Sequence, residues 1–245
     1  MTAIKGILFD KDGTLIDFHA TWAQVAEEMA LEAAKGNQDK ADTMLIAGGL
    51  DPVTRSFMAD SIFAAGTNLD IIELWFPELS RAEQLETLEE FNQMTADKGA
   101  VFAVALPGII DALNRLHTQR FRLGVATNDS TLGCEKTLAA LGIAQLFEAA
   151  YGYDAVANAK PAPDTVRAFC DLTGLKPAEI AMIGDNRHDL DMARAGGCGL
   201  AIGVLSGTGT RASLSPLADV VLESVADLPG YLMTLRQELD RKQLS

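Results

Sequence analysis

Two aspartates with one residue between them follow a short apolar run near the start of the chain. Asp10 and Asp12 come after residues 7–9, which are Ile-Leu-Phe, and before Gly13, where the chain can turn away from a strand. Carboxylates crowded at the end of a strand repel each other, so either a cation lies between them or one holds a proton. Such an arrangement is unfavourable in a purely structural segment and indicates chemistry.

Three further polar clusters follow predicted strands or their connections. Thr127 and Asn128 come after Leu-Gly-Val-Ala, Lys160 stands in Ala-Lys-Pro-Ala-Pro, and Asp185 and Asp189 follow Ala-Met-Ile-Gly. Ligands of parallel α/β sheets bind beyond the carboxyl ends of the strands, so we expect these clusters to meet at one edge. Acids, a hydroxyl and a lysine together are suited to binding phosphate and magnesium.

Each residue type has a distinct chemical use in such a site. Mg²⁺ prefers oxygen ligands and is usually held by one or two carboxylates, a role that suits Asp10 and Asp185. A carboxylate can attack phosphorus and form an aspartyl-phosphate, while a second acid protonates the leaving oxygen and later takes a proton from water. A hydroxyl, backbone amides and a lysine can hold the phosphoryl oxygens, where charge lies in the transition state.

The elements that position these residues alternate along most of the chain. Strands separated by helices predict a Rossmann-like parallel sheet in an α/β fold, with helices on both faces. Strands are predicted at residues 6–10, 121–127, 146–151, 180–184, 199–203 and 219–222.

The stretch from Thr21 to about Lys98 has a helical pattern and no strand-like run. An insertion of about 80 residues can form a small domain of its own. The sequence therefore predicts an α/β core, residues 1–18 and 100–245, with an all-helical cap domain, residues 19–99, inserted after the first strand.

Read in order, these motifs resemble those of the haloacid dehalogenase superfamily, in the branch of phosphatases with a helical cap. The matching segments are residues 10–15 (Asp-Lys-Asp-Gly-Thr-Leu), 125–128 (Val-Ala-Thr-Asn), 160–161 (Lys-Pro) and 184–185 (Gly-Asp), with Asp189. They span almost the whole chain, and within the family the chain is similar to phosphoglycolate phosphatases and related small phosphomonoesterases.

The resemblance implies a role for each matching residue. Asp10 would be the nucleophile and a Mg²⁺ ligand, and Asp12 the general acid and base, with its backbone carbonyl also on the metal. Thr127 and the amide of Asn128 would bind the phosphoryl group, and Lys160 would neutralise charge on nucleophile and phosphate.

Two further acids follow the fourth predicted strand. By the same resemblance, Asp185 would ligate Mg²⁺ directly. Asp189 would orient a metal-bound water or Lys160, or be a ligand itself.

Several residues near these motifs are not assigned a catalytic role. The family often has a bulky apolar residue between the two aspartates, where this chain has Lys11. Trp22 is interpreted as part of the cap core rather than as a substrate contact, and His188 as structural. The glycine-rich residues 203–210 lack the lysine of a phosphate-binding P-loop and are interpreted as a flexible loop.

Composition limits the class of partner and the compartment. The 245 residues carry a formal net charge of −14, which argues against nucleic acid or an anionic membrane surface as the main partner. No apolar run approaches the roughly 20 residues of a membrane-spanning helix. Three widely separated cysteines and the absence of a signal-like N-terminus predict a cytoplasmic protein. The family resemblance implies that its partner is a small phosphorylated metabolite. The oligomeric state is not specified by the sequence.

Two alternatives to a phosphomonoester hydrolase stay open at this stage. A phosphosugar mutase on the same scaffold needs the same residues and a cap that returns the phosphoryl group to the intermediate. A non-catalytic binding protein that kept the fold is the other. Dehalogenation is disfavoured, because dehalogenases of the family usually lack an acid at the position of Asp12.

Overall fold

The computed structural model of the chain describes residues 3–243, and six strands of this part form one sheet. The strands are β1 (Gly6–Phe9), β2 (Arg122–Ala126), β3 (Ala149–Tyr151), β4 (Ile180–Gly184), β5 (Leu200–Val204) and β6 (Val220–Leu222). Their order across the sheet is β3-β2-β1-β4-β5-β6, and every neighbouring pair is parallel. This confirms the predicted Rossmann-like parallel sheet.

Helices connect the strands and occupy both faces of the sheet. They are α1 (Phe18–Ala33), α2 (Gln38–Ala47), α3 (Ile62–Ala65), α4 (Asn68–Trp75), α5 (Arg81–Phe102), α6 (Ile109–Thr118), α7 (Thr131–Ala140), α8 (Asp164–Thr173), α9 (Arg187–Gly196), α10 (Arg211–Leu214) and α11 (Leu228–Gln243). Short 3-10 turns lie at Ala144–Leu146, Tyr153–Ala155, Pro177–Glu179 and Val225–Asp227.

The central strand β1 is apolar at every position because both of its faces are buried. Side chains alternate between the faces of a strand, so Ile7 and Phe9 pack into the cluster that contains Leu113 of α6. Leu8 points the other way, into the cluster that contains Phe169 of α8 and Leu190 of α9. The sheet is thereby fixed between two helical layers, and its carboxyl edge is held rigidly.

Six helices lie between β1 and β2, and the first five, α1 to α5, cover the stretch for which a helical insertion was predicted. Their assignment to a separate cap stays a prediction. They surround a third hydrophobic cluster, in which the Trp75 indole donates a hydrogen bond of 2.9 Å to the carbonyl of Met44. The helices run from Phe18 to Phe102, so α5 crosses the predicted domain boundary at 99. The exact division into two domains stays a prediction, and its outermost residues, 1–2 and 244–245, lie outside the described part.

The long helix α5 joins the insertion to the rest of the molecule by packing against α7. An ion pair of 2.5 Å connects Asp97 of α5 to Lys136 of α7. Within residues 3–243, no helix combines the length and the apolar character that crossing a lipid bilayer requires.

Candidate active site

Three of the predicted site residues come directly after adjacent strands. Asp10 follows β1, Thr127 follows β2 and Asp185 follows β4, and β1 pairs with both of the other strands. Because the strands are parallel, their carboxyl ends lie at the same edge of the sheet. The structure therefore brings these side chains, far apart in sequence, to one cleft.

Lys160 reaches the same place from the connection before α8. Its ammonium donates hydrogen bonds of 2.7 Å to Oδ1 of Asp10 and of 2.7 Å to Oδ1 of Asp189. Burial disfavours the charged form of the lysine, but the two carboxylates outweigh burial, so the pKa of Lys160 lies above its usual value. The buried lysine is thus held as a cation between two acids.

The Asp189 side chain is held in one orientation by a capping hydrogen bond at the start of α9. Its Oδ2 accepts a 3.0 Å hydrogen bond from the backbone N–H of Asn186, whose side chain caps the helix in return. The other oxygen, Oδ1, accepts from Lys160. Both oxygens are therefore engaged by this chain, which favours a role in orienting the lysine over direct metal ligation.

The acids carry more negative charge than one lysine can balance. Asp10, Asp185 and Asp189 each offer a carboxylate oxygen within 4.8 Å of the others, and Oδ2 of Asp10 is buried without a hydrogen-bond partner. Burial raises the pKa of Asp10 to about 7, although Lys160 opposes the shift. Burial and the neighbouring acids also raise the pKa of Asp185 well above its usual value. A divalent cation with a preference for oxygen fits this donor set.

These shifts predict how the metal-free protein responds to pH. Between 3.8 and about 7, the folded chain keeps a proton on Asp10 that the unfolded chain has released, so stability falls as pH rises through this window. The difference in free energy of unfolding between wild type and Asp10→Asn, measured by denaturant titration with a chelator present, should change with pH by more than about 1 kcal/mol. Added Mg²⁺ should raise the wild-type midpoint at pH 7 and above. A pH-independent difference would contradict the assignment.

Asp185 is held by the glycine-rich loop after β5. The backbone N–H of Thr208 donates to Oδ2 of Asp185 at 2.6 Å, and the Thr208 hydroxyl lies 3.2 Å from the same atom. A Cβ at Gly207 would come within 2.0 Å of that oxygen, so only glycine permits this approach. Residues 203–210, interpreted from the sequence as a flexible loop, therefore also orient a site carboxylate, a role that the sequence analysis did not assign to them.

Asp12 points away from the other acids into a second cluster. The ammonium of Lys11 lies 2.9 Å from Oδ1 and 2.8 Å from Oδ2 of Asp12, and 3.1 Å from Oδ2 of Asp129. The same ammonium lies 5.0 Å from the centre of the Trp22 ring, and the Trp22 indole donates to Oδ1 of Asp12. Lys11 is fully buried. Lys11 and Trp22 together hold the Asp12 carboxylate in place, and we call these two residues the clamp on Asp12.

The electrostatics of this cluster favour the charged lysine. Burial alone would lower the pKa of Lys11, but Asp12 and Asp129 raise it above its usual value. Burial raises the pKa of Asp129, and Lys11 opposes that shift. Trp22 packs on the core of the inserted helices, as predicted, and it also lines the cleft. His188 lines the cleft as well.

Thr127 and Asn128 leave hydrogen-bond donors available beside the acids. Oγ of Thr127 accepts a 3.1 Å hydrogen bond from the N–H of Asp129, which leaves its own hydroxyl hydrogen free. The Asn128 side chain donates to the carbonyl of Ala65 in α3 at 2.7 Å, so it links the core to the insertion. The backbone N–H of Asn128 has no acceptor within residues 3–243. Two donors next to Lys160 can therefore receive an anion.

These elements enclose a cleft of about 690 Å³, including its open mouth. Its floor consists of the acids, Lys160 and the residues after β2, and its roof consists of side chains from the inserted helices. A cleft that combines apolar walls with a few convergent polar groups suits a small organic molecule. Residues 64–66 line the roof, together with side chains that no motif in the sequence marks: Phe18, Trp22, Met29, Phe63, Asn68, Ile71 and Thr95.

A doubly wound α/β fold with acids and a lysine at the carboxyl edge of its sheet defines an α/β protein with a ligand-binding cleft at that edge. The family model described as haloacid dehalogenase-like hydrolase matches residues 4–197, and the chain belongs to that family. The phosphoglycolate phosphatase of Shigella boydii is 29% identical over 234 residues, which cover 92% of this chain and 91% of that protein.

Two solved structures have the same fold. A haloacid dehalogenase-like hydrolase from Bacteroides fragilis superposes with a TM-score of 0.70 at 21% identity, over 92% of this chain and 99% of the other. A predicted phosphoglycolate phosphatase from Haemophilus somnus also gives a TM-score of 0.70, at 24% identity, over 93% of this chain and 97% of the other. The similarity therefore extends through the inserted helices.

Proposed function

We propose that this hydrolase is a Mg²⁺-dependent phosphomonoesterase that acts on a small phosphorylated metabolite through an aspartyl-phosphate on Asp10. The observation that carries the proposal is the pair of Asp10 oxygens. One accepts a hydrogen bond from Lys160, and the other is buried and unpartnered in the cleft that Thr127 and Asn128 also line. A carboxylate so placed is a nucleophile with an anion site next to it.

Asp10 and Asp185, with the backbone carbonyl of Asp12, are the residues that would hold the metal. When bound, Mg²⁺ reduces the repulsion between the acids and an anionic phosphate. Groups of the protein itself would bind the phosphoryl group. The Thr127 hydroxyl, the Asn128 N–H and the Lys160 ammonium would hold the three oxygens on which charge accumulates.

The reaction then proceeds in two steps that conserve atoms and protons. Oδ2 of Asp10 forms a bond to phosphorus while the bond from phosphorus to the ester oxygen breaks, and Asp12 gives that oxygen its proton. In the second step, Asp12 takes a proton from water as the water oxygen attacks phosphorus, and the Asp10 carboxylate is released with inorganic phosphate. The clamp of Lys11 and Trp22 on Asp12 keeps this acid at a fixed position during both steps.

The relatives suggest where substrate tests begin. Because a relative over 92% of the chain is named a phosphoglycolate phosphatase, 2-phosphoglycolate belongs in the first panel, together with sugar phosphates. We further propose that the partner is this small metabolite, rather than nucleic acid or membrane, and that the protein acts in the cytoplasm.

The test is release of inorganic phosphate from a broad panel of phosphate monoesters. We expect turnover with Mg²⁺, loss of turnover with a chelator and recovery when Mg²⁺ is added back. Absence of phosphate release from every ester, with and without metal, would disprove the proposal. Conversion of a sugar phosphate to its isomer without release of phosphate would indicate the mutase instead.

A further inference from the structure

We propose that the cleft selects phosphate esters whose organic part is uncharged, with an apolar face and a hydroxyl group, over esters that carry a carboxylate. This inference rests on the proposed phosphomonoesterase activity and concerns the half of the cleft formed by the inserted helices. The floor binds the phosphate, so the roof determines which alcohol fits.

The roof offers no cation to a carboxylate in the described part of the chain. The lining includes Lys160, whose ammonium already contacts two aspartates on the floor. Lys11 is fully buried and engaged by Asp12 and Asp129, so it cannot reach a ligand. His188 also lines the cleft, but it belongs to the first turn of α9, adjacent in sequence to Asp189, and not to the inserted helices.

Backbone N–H groups do not replace the missing cation. Residues 64–66 line the cleft, but their N–H groups are engaged within α3 and its caps. The N–H of Ala65 donates to the carbonyl of Ser61 at 2.9 Å, and that of Gly66 donates to the carbonyl of Ile62 at 2.8 Å. The N–H of Ala64 donates to the same Ser61 carbonyl and side chain. A carboxylate at this position would lose its water without gaining donors.

Asn68 instead presents a hydrogen-bond acceptor. Its side-chain amide donates to Oδ1 of Asn92 at 2.9 Å and to Oγ1 of Thr95 at 3.0 Å. Asn92 is held in turn by the hydroxyl of Tyr153. With both amide hydrogens used, the Asn68 carbonyl oxygen remains, and among residues 3–243 no donor reaches it. A hydroxyl can donate to this oxygen, whereas a carboxylate would be repelled by it.

The rest of the roof is apolar. Phe18, Trp22, Met29, Phe63 and Ile71 form its walls, so a substrate with a hydrocarbon face removes apolar surface from water on binding. A charge in contact with these walls loses hydration without compensation. Charge, hydrogen bonding and apolarity thus favour the same class of alcohol.

The decisive measurement compares substrates matched in size and in leaving group. The full chain with Mg²⁺ would be assayed for phosphate release from 2-hydroxyethyl phosphate against 2-phosphoglycolate, and from 4-(hydroxymethyl)benzyl phosphate against 4-carboxybenzyl phosphate. We expect kcat/KM to be roughly tenfold or more higher for the uncharged member of each pair. Equal values, preference for the carboxylates, or failure to hydrolyse the uncharged esters while another ester is hydrolysed would overturn the inference.

A second experiment tests the same idea by supplying the missing charge. Asn68→Lys should shift the kcat/KM ratio of each pair toward the carboxylate by roughly tenfold, whereas the uncharged Asn68→Met should not. If wild type prefers carboxylates and His188→Gln removes that preference, His188 is the anion site and the inference is wrong. Failure of the phosphomonoesterase proposal is distinguishable, because no ester would then release phosphate.

Discussion

Asp10→Asn is expected to abolish phosphate release, with kcat reduced by roughly 10⁴-fold or more. The amide keeps the shape of the side chain but cannot attack phosphorus, and it removes the charge between Lys160 and the proposed metal. Because the substitution also removes a buried acid whose pKa is about 7, the metal-free variant should be no less stable than wild type at neutral pH. Loss of activity without loss of stability separates chemistry from folding.

The matched control for this substitution is Asp111→Asn. Asp111 lies exposed in the first turn of α6, outside the cleft, and undergoes the same chemical change. Activity is measured as phosphate release with saturating Mg²⁺, and folding as the thermal midpoint. If Asp10→Asn retained a tenth of wild-type kcat, or if the control lost as much activity, Asp10 could not be the nucleophile.

Asp12→Asn is expected to lower kcat by about 10² to 10⁴-fold while the affinity for Mg²⁺ survives. The Asp12 carboxylate contacts Lys11 and Trp22 and does not belong to the group of acids that could share a metal ion. Only its backbone carbonyl is proposed as a ligand, and the substitution leaves that carbonyl in place. Proton transfer to the ester oxygen, by contrast, needs the acid.

Titration calorimetry with Mg²⁺ and steady-state kinetics together check this expectation. Esters with more acidic leaving alcohols need less protonation, so the deficit of Asp12→Asn should shrink for aryl phosphates relative to alkyl phosphates. A metal affinity that falls as far as kcat, or a deficit that is the same for both kinds of ester, would contradict the role of general acid.

The sequence predicted the sheet and its edge well because strong local signals mark them. The strand at 180–184 coincides with β4, since a continuous apolar run is what a doubly buried parallel strand requires. Asp10, Thr127 and Asp185 follow three such strands, so their meeting in one cleft could be expected from topology alone. Lys160 was expected at the same edge as one of the polar clusters, and the family resemblance supplied its role.

The remaining parts depend on contacts between distant segments that no local pattern encodes. Lys11 stands where the family often has an apolar residue, but its partner Asp129 lies more than a hundred residues away in sequence and belongs to no motif. Thr208 holds Asp185 only because its loop folds back over the edge of the sheet. The roof was likewise unpredictable, because packing between inserted helices decides which side chains face inward. Asn68 is such a case.

The hydrogen bond from Trp22 to Asp12 connects the inserted helices to the catalytic loop. The indole belongs to α1, at the entrance to the inserted helices, while its acceptor belongs to the loop that carries the nucleophile. The indole therefore couples the position of α1 to that of the Asp12 carboxylate, so a substitution that displaces α1 would also disturb the proposed general acid.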